Sequence, residues 1–318
     1  MSNNVSVLLV GAGYMGKEYG KVLKDLGIPF QVVCRSEASA KKYNEEIGVM
    51  PLYGGIDKVI SELSDTPDSA IVAVNVESLA STVCNLIENG VKEVLVEKPA
   101  GINRAEIEKV SKVCCLYDAQ VYVAYNRRFY ASTEKALQII NEDGGVSSFN
   151  FEFTEWGFKI EKTGHIPAVK EEWLLANSSH VIDLAFFLGG YPKEMCSYSS
   201  GSLQWHSRAS QYSGAGITEN GTTFSYQANW NAPGRWAVEV LTNEHRLYLK
   251  PMEKLYIQNK GSVAVEEVAI DDKLDVDFKP GLHKQTKAFL SREKDLRLLT
   301  IEEQVNHMRI YEMIEGLA

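Results

Sequence analysis

Three glycines, Gly11, Gly13 and Gly16, stand in the run GAGYMG, which directly follows the apolar residues Val5–Val10. An apolar run, a glycine-rich turn and a helical pattern in this order predict a strand that leads straight into a helix N-terminus. Gly11 allows the turn, Gly13 lets backbone N–H groups approach a pyrophosphate, and Gly16 lets the helix pack against the strand. The spacing predicts a dinucleotide site. Its predicted cofactor-binding residues are Gly11, Gly13, Tyr14, Met15 and Gly16.

The end of the next predicted strand, Phe30–Cys34, bears on which dinucleotide binds. A site that prefers NAD usually has Asp or Glu about 20 residues after the glycine-rich turn, bonded to the ribose 2′-OH. This chain has Arg35 and Ser36 there, a guanidinium and a hydroxyl that could bind a 2′-phosphate. The alternative is that Arg35 is solvated and Ser36 caps the following helix. We predict NADP as the cofactor, with NAD as the alternative.

Lys98 lies near the end of the run VLVEKP, Val94–Pro99. Open α/β sheets bind their ligands at the carboxyl ends of parallel strands, which is where this strand would place the lysine. An ammonium group there can donate a hydrogen bond to a reacting hydroxyl and favour its alkoxide form. Taken alone, Lys98 could equally be a surface lysine before a turn. Asn75, after the preceding strand, either contacts the cofactor or caps its loop.

Strand and helix patterns alternate from Val5 to about Ala124, which predicts an α/β domain with a doubly wound parallel sheet. The predicted strands are Val5–Val10, Phe30–Cys34, Ser69–Val74, Glu93–Val96 and Gln120–Ala124. The predicted helices are Tyr14–Leu26, Glu37–Glu46, Ile56–Ser64, Ser78–Asn89 and Arg104–Leu116. Asn103 is a predicted N-cap and Gly90 a predicted C-cap.

The pattern changes after about Tyr125 to alternating runs, which predict an α+β domain with a large, mostly antiparallel sheet that has one open face. The predicted strands are Val146–Phe158, Thr222–Trp230, Arg235–Thr242, Arg246–Leu249, Lys254–Gln258 and Val263–Val268. The predicted helices are Ser179–Leu188, Leu282–Leu290 and Ile301–Leu317. We therefore expect a Rossmann domain over 1–124 and a substrate and oligomerisation domain over 125–318, with the C-terminal helices free to pack back on the first domain.

The composition argues against several classes of binding partner and site. The net charge of −9 argues against a non-specific binder of nucleic acid or of an anionic membrane surface. Five cysteines without C-x-x-C spacing argue against a disulfide scaffold and a zinc site, so we expect no metal. No apolar run approaches ~18 residues, and no signal-peptide pattern precedes the first strand. We expect a cytoplasmic protein with a small-molecule partner.

Four motifs, GAGYMG, VLVEKP, YNRRF at Tyr125–Phe129 and SSHVID at Ser178–Asp183, together resemble the Gfo/Idh/MocA family. This family comprises NAD(P)-dependent oxidoreductases of sugars and cyclitols, and the resemblance covers essentially the whole chain. It implies that Lys98 of the E-K-P motif polarises the reacting oxygen and that Glu97 belongs to the cofactor site. It also implies that the open sheet forms a subunit interface, so we expect a homodimer or homotetramer.

The resemblance further implies that His180 and Asp183 belong to a catalytic helix. Residues three apart share one helix face, so both side chains can point into one pocket. His180 would lie in the first turn after a Ser178 or Ser179 cap, where the helix dipole favours a neutral imidazole that can accept the hydroxyl proton. Asp183 would hold the substrate or tune the histidine.

The chain also departs from the family. Many members carry Asp four residues before this histidine, where this chain has Ala176. Asn177, Asp183 or a glutamate of the Glu171–Glu172 pair could substitute for it. The resemblance also places three residues at the substrate pocket, although Arg128 could equally be a structural ion-pair partner. The predicted substrate-binding residues are Asn126, Arg128 and Asn177.

Five tryptophans lie in the second domain, where they could stack on a sugar or pack in a core or interface. An open sheet rich in aromatic residues would need a partner subunit. The leading hypothesis is an NADP-dependent oxidoreductase that interconverts a secondary alcohol and a ketone on a sugar, amino sugar, nucleotide-linked sugar or cyclitol. The alternatives are an NADP-binding regulator or scaffold that has lost turnover, and a reductase of a non-sugar substrate on the same fold.

Overall fold

The computed structural model describes residues 7–63 and 65–317. The chain forms two compact units. The first comprises the described residues up to Tyr125 together with Val276–Asn306, and the second comprises Asn126–Asp275 together with the described residues from His307 onward. Val5, Ser6 and Ser64, which the predicted elements include, lie outside the described residues.

The first unit contains a parallel sheet with helices between its strands. The strands are β1 Val7–Val10, β2 Phe30–Cys34, β3 Leu52–Tyr53, β4 Ser69–Val72, β5 Glu93–Glu97 and β6 Gln120–Ala124. The helices are α1 Tyr14–Asp25, α2 Glu37–Ile47, α3 Ile56–Glu62, α4 Leu79–Glu88 and α5 Arg104–Tyr117. Strands β6, β5, β4, β1, β2 and β3 lie in that order and pair in parallel. The predicted doubly wound sheet is confirmed.

Local signals set the ends of these elements. Strands β1 and β4 are buried along their whole length, as expected for a sheet covered on both faces. Asn103 caps α5, because its side chain accepts a hydrogen bond from the Glu106 backbone N–H at 3.1 Å. Ser36 caps α2 in the same way through the Ser39 N–H, at 3.2 Å. The capping interpretation of Ser36 is therefore the one that the structure shows.

The second unit is built on a sheet of eight strands. The strands are β7 Ser148–Glu152, β8 Pro192–Ser200, β9 Gln211–Thr218, β10 Thr223–Asn229, β11 Ala237–Leu241, β12 His245–Leu249, β13 Tyr256–Asn259 and β14 Glu266–Glu267. The helices are α6 Ala131–Glu142, α7 Gly157–Ile160, α8 Pro167–Glu171, α9 Ser179–Gly189 and α10 Lys273–Asp277. All strand pairs are antiparallel except β7 with β10. The predicted mostly antiparallel sheet is confirmed.

One face of this sheet packs against α9. Phe186 of α9 lies 5.4 Å from the ring of Phe151 and 5.1 Å from that of Phe224. The other face is mostly polar, with Ser213, Ser225 and Gln227 exposed. The buried tryptophans are Trp173, Trp230 and Trp236. These three tryptophans therefore pack in the core of the unit, which is one of the alternatives that the sequence allowed, and they do not lie on the open face.

The C-terminal segment contains α11 Leu282–Ser291, β15 Leu299–Thr300 and α12 Ile301–Glu315. Strand β15 extends the sheet of the first unit, because it pairs antiparallel with β6. Buried Gln304 donates hydrogen bonds to the Pro99 carbonyl at 3.3 Å and to the Tyr125 hydroxyl at 3.2 Å. The predicted strand Val146–Phe158 is wrong after Glu152, where the chain leaves the sheet and forms α7. Within residues 7–63 and 65–317, no helix is long and apolar enough to cross a membrane.

Candidate active site

The glycine-rich turn joins β1 to α1 in a conformation that only small residues allow. Gly11 has a φ of +122°, and a Cβ there would lie 2.2 Å from the Ala73 carbonyl oxygen. A Cβ on Gly16 would lie 2.0 Å from the Gly11 carbonyl oxygen. A Cβ on Gly13 would meet nothing within 4 Å, since this residue faces open space. Gly11 and Gly16 therefore let the turn close, and Gly13 leaves room for a ligand above the helix N-terminus.

A cleft of about 610 Å³ opens at the carboxyl ends of β1, β2 and β4. Its lining includes the turn Gly11–Gly13, Arg35, Ser39 and Asn75. The extended backbone at Gly13 leaves room for a ligand, and a guanidinium and two polar side chains lie beside it. This arrangement suits a dinucleotide whose phosphates lie along the helix N-terminus. The residues present therefore fit this cofactor.

Several predicted cofactor residues lie elsewhere. Among the residues that the structure describes, those that line the cleft do not include Tyr14, Met15, Ser36, Glu97 or Lys98. The hydroxyl of Ser36 lies 2.9 Å from that of Ser39, in addition to its capping bond. Of these two serines, Ser39 is the one that lines the cleft. Ser39 was not among the predicted cofactor residues, although its position three residues after Ser36 places it on the first turn of α2.

The turn Glu97–Pro99 at the end of β5 is held from two sides. The Tyr19 hydroxyl of α1 donates to Glu97 Oε1 at 3.1 Å. Burial raises the pKa of Glu97, and the Lys98 ammonium group and the Tyr19 bond oppose that rise. Gln304 holds the Pro99 carbonyl on the other side of the turn. Lys98 thus sits on a fixed backbone at the carboxyl edge of the sheet.

Helix α9 carries the two predicted catalytic residues of the second unit. The His180 side chain is 9% exposed, and its ring lies 6.1 Å from that of Trp236. Asp183 is bound by Arg128, whose Nε and Nη2 donate to the two carboxylate oxygens at 2.8 and 2.6 Å. Arg128 Nη2 also donates to the Tyr191 hydroxyl at 3.1 Å.

This ion pair lies inside the unit, with Arg128 and Asp183 2% and 3% exposed. Burial lowers the pKa of Arg128, but the adjacent Asp183 carboxylate more than offsets this and raises it. Arg128 is therefore a buried ion-pair partner, which is the alternative to a place at the substrate pocket that the sequence left open. Both oxygens of Asp183 are engaged, so this residue holds α9 in place one turn after His180.

Glu155, three residues beyond β7, is a buried carboxylate that contacts the turn before His180. Its Oε1 accepts hydrogen bonds from Asn177 Nδ2 and Ser178 Oγ, both at 2.8 Å, and Arg235 lies 3.4 Å from its Oε2. Burial raises the pKa of this carboxyl group, and the Ser178 bond and the Arg235 charge oppose that rise.

The expected capping of α9 is wrong. Residues Leu174–Ser178 form a π-helical turn that runs directly into α9, and Ser178 has a helical backbone with φ −66° and ψ −20°. The hydroxyl of Ser178 binds Glu155 instead of a backbone N–H. His180 therefore follows a continuous helical turn, and the dipole argument for a neutral imidazole does not apply.

The other expected substitutes for a carboxylate at Ala176 are engaged elsewhere. Glu171 accepts hydrogen bonds from Ser207, and Glu172 pairs with Arg208. Asn177 is a donor to Glu155. Asn126 is 5% exposed. In the part of the chain that the structure describes, no group of three or more His, Cys, Asp or Glu side chains could hold a metal ion.

Comparison with known proteins gives a family-model match over part of the chain, and a fold. Residues 5–125 match the GFO_IDH_MocA family model, whose description is "Oxidoreductase family, NAD-binding Rossmann fold". An NAD binding oxidoreductase from Klebsiella pneumoniae is 16% identical, with a TM-score of 0.78 over 99% of this chain and 97% of that chain. No curated protein sequence matches the chain.

Two further solved structures carry a substrate name. Levoglucosan dehydrogenase, in complex with NADH and levoglucosan, is 17% identical, with a TM-score of 0.77 over 99% of this chain and 97% of that chain. UDP-N-acetylglucosamine 3-dehydrogenase from Acidithiobacillus ferrooxidans is 12% identical, with a TM-score of 0.75 over 98% of this chain and 97% of that chain. At these identities the likeness is one of fold.

Proposed function

We propose that the chain, whose residues 5–125 match a family model of oxidoreductases with an NAD-binding Rossmann fold, interconverts a secondary alcohol and a ketone on a sugar or cyclitol, with NADP as its cofactor. The observation that carries this proposal is the cleft of about 610 Å³ beside the glycine-rich turn, with Arg35 in its lining. The similar folds include dehydrogenases named for levoglucosan and for UDP-N-acetylglucosamine, which supports a carbohydrate-like substrate.

The preference for NADP rests on the side chains at the end of β2. Arg35 and Ser39 line the cleft and offer donors to a 2′-phosphate. The lining also contains a carboxylate, Asp57, but its Oδ1 accepts a hydrogen bond from Asn85 at 2.8 Å, and it lies on α3 instead of following β2. A guanidinium in this position favours a cofactor that carries the extra phosphate.

The proposed chemistry assigns one role to each predicted catalytic residue. When bound, the nicotinamide supplies the hydride acceptor. Lys98 donates a hydrogen bond to the reacting oxygen and stabilises its alkoxide character. His180 accepts the hydroxyl proton as a general base. Asp183 acts through its ion pair with Arg128, which fixes the helix that carries His180.

The test is the reduction of NADP⁺, followed at 340 nm, with a panel of sugars, sugar acids, nucleotide-linked sugars and cyclitols. We expect one class to be oxidised, and Lys98→Met and His180→Asn to lower kcat by at least about 100-fold, in line with the contribution of a positioned acid or base. Thermal melting serves as the folding control. Tight NADPH binding without turnover across the panel would contradict the proposal and support a non-enzymatic regulator or scaffold.

A homodimer or homotetramer through the open sheet of the second unit is also proposed. The support is the row of exposed side chains on β9 and β10, which leaves that face free for a second copy of the chain. Sedimentation equilibrium of the wild type and of Ser225→Arg, a charge placed at the centre of that face, would test it. A monomeric wild type would overturn it.

A further inference from the structure

Six side chains of the second unit alternate between cations and aromatic rings. We call them the cation–aromatic ladder. In order, they are Lys159, Trp156, Arg235, Trp236, Arg127 and Tyr130. Lys159 Nζ lies 4.0 Å from the Trp156 ring centroid. The two arginines lie between rings, so every ring except the terminal tyrosine has a cation on both sides.

The two guanidinium groups hold the ladder together. Arg235 Cζ lies 5.1 Å from the centroid of Trp156 and 4.5 Å from that of Trp236. Arg127 Cζ lies 4.7 Å from the centroid of Trp236 and 5.8 Å from that of Tyr130. A guanidinium that lies over a ring keeps its N–H groups in its own plane, so its edge stays available to a planar or tetrahedral anion.

The ladder leads from solvent to the predicted catalytic histidine. Trp156 is 39% exposed and the Arg235 side chain 48% exposed, whereas Trp236 is 6% exposed. Trp236, an inner member of the ladder, lies beside α9, because the His180 ring is 6.1 Å from that of Trp236. A ligand that contacts the exposed rings can therefore extend along the ladder towards His180.

Among the ion pairs within residues 7–63 and 65–317, the three cations of the ladder share one carboxylate partner. This partner is Glu155, 3.4 Å from Arg235, and the same group accepts hydrogen bonds from Asn177 and Ser178. Two further carboxylates, Glu253 and Asp275, interact with Tyr130 at the end of the ladder. Among the ion pairs of the described residues, none involves Arg127, and its Nε is buried without a hydrogen-bond partner. A half-buried guanidinium without a counter-ion is costly, and an anionic ligand would offset that cost.

We propose that the cation–aromatic ladder binds the anionic group of the substrate, which is a sugar derivative that carries a carboxylate or a phosphate. This proposal rests on the proposed function, because it names the substrate class of the same site. Guanidinium edges bind both kinds of oxyanion with two parallel hydrogen bonds, and the exposed face of Trp156 offers a stacking surface for the sugar ring. A neutral sugar or cyclitol uses only the stacking surface of Trp156 and not the guanidinium edges.

The test is isothermal titration calorimetry of the full-length protein with saturating NADP⁺, which occupies the phosphate sites of the cofactor cleft. The probes are D-glucose, D-glucuronate and D-glucose 6-phosphate. We expect at least one anionic sugar to bind with a Kd at least about tenfold below that of glucose. Comparison of D-glucuronate with D-glucose 6-phosphate then shows whether the ladder binds a carboxylate or a phosphate. Equal affinities for all three probes would overturn the proposal.

Substitutions of the two arginines test whether the ladder causes the preference for anionic sugars. Arg127→Gln and Arg235→Gln should remove most of the preference for the anionic sugar, while Arg127→Lys retains part of it. Arg246→Gln is the matched control, because Arg246 also lies over a ring, that of Tyr248 at 5.2 Å, and pairs with Glu239 outside the ladder. A preference that survives both ladder variants would overturn the assignment. Thermal melts of each variant show whether the unit remains folded.

The two proposals fail in different ways. If neutral and anionic sugars are oxidised with the same kcat/KM, the protein is an oxidoreductase and the ladder does not select the substrate. If anionic sugars bind in a manner that depends on Arg127 but no NADP⁺ is reduced, the ladder is a binding site and the proposed activity is wrong.

Discussion

The hydroxyl of Ser178 donates to Glu155 Oε1 at 2.8 Å, two residues before His180 in the chain. Glu155 is 2% exposed and lies 23 residues earlier in sequence, just beyond the end of β7. It therefore connects the end of a central strand of the sheet to the π-helical turn that precedes the predicted catalytic helix. We regard it as a positioning residue for His180, in place of the carboxylate that Ala176 cannot supply.

Glu155→Gln should lower kcat by about tenfold and leave KM within about twofold, because a neutral amide replaces a charged acceptor of two hydrogen bonds. Loss of the nearby negative charge also disfavours the imidazolium, so the acidic limb of the pH–rate profile should move to lower pH. Glu155→Asp should recover part of the rate. These effects are measured as kcat and KM from pH 5 to 9.

The matched control is Glu152→Gln, which removes a carboxylate from the last residue of β7. Glu152 pairs with Lys250 at 3.4 Å. Its profile should coincide with that of the wild type. If Glu155→Gln changed only the melting temperature and left the pH profile in place, Glu155 would be a stabilising residue and nothing more.

The cofactor half of the molecule could be predicted because its signals are local. Gly11, Gly13 and Gly16 lie within six residues, and strand and helix periods alternate on either side of them. Helix ends such as Asn103 depend on a bond to a residue three positions away. Such patterns act over one turn of chain, so the sequence displays them directly.

The candidate site of the second unit depends on contacts between distant residues. Arg128 and Asp183 are 55 residues apart, and no local pattern distinguishes a buried ion pair from two exposed charges. Glu155 lies in the alternating run Val146–Phe158. The alternation of that run does not indicate that Glu155 contacts Asn177 and Ser178, more than 20 residues away. Strands β8 and β9 were missed because glycines and serines replace the usual apolar residues in SYSS and SGAG.

Arg35→Ala should weaken NADPH binding by at least about tenfold and change NADH binding by less than about twofold, because only NADPH carries the 2′-phosphate. The measurement is a titration of each cofactor followed by its own fluorescence. Ser39→Ala should weaken NADPH binding selectively, whereas Ser36→Ala should cost about 1 kcal/mol of stability through the lost cap and leave the cofactor preference unchanged. NADH binding as tight as NADPH in the wild type would contradict the assignment to NADP.

Arg128→Met should destabilise the second unit by about 3–5 kcal/mol, because it leaves the Asp183 carboxylate buried without a partner. The double variant Arg128→Met/Asp183→Leu should be more stable than this single variant, since no isolated charge remains. Urea unfolding followed by far-UV circular dichroism gives the midpoints. Arg246→Met, which breaks an ion pair with a half-exposed arginine, should cost only about 0–1 kcal/mol. Equal losses in Arg128→Met and Arg246→Met would rule out the proposed contribution of burial.

Glu315 gives the folding stability a pH dependence near neutrality. It pairs with Arg208 at 2.8 Å, and its side chain is 6% exposed. Burial raises its pKa to about 7, against the opposing charge of Arg208. The unfolded chain has a Glu pKa near ~4.3, so the native state binds the proton more tightly. The resulting stabilisation is fully present below that value and is lost as the pH rises to about 7.

Glu315→Gln removes this titration. The free energy of unfolding of the wild type, relative to the variant, should fall by up to about 3 kcal/mol between pH 4.5 and 7.5, which is the energy of a shift of this size. Urea unfolding at four pH values across that range measures the difference. Glu302→Gln, an exposed carboxylate on the same helix, should follow the wild type at every pH. Parallel curves for the wild type and Glu315→Gln would show that Glu315 titrates like an ordinary surface glutamate, because the free-energy difference can change with pH only if its pKa differs between the folded and unfolded states.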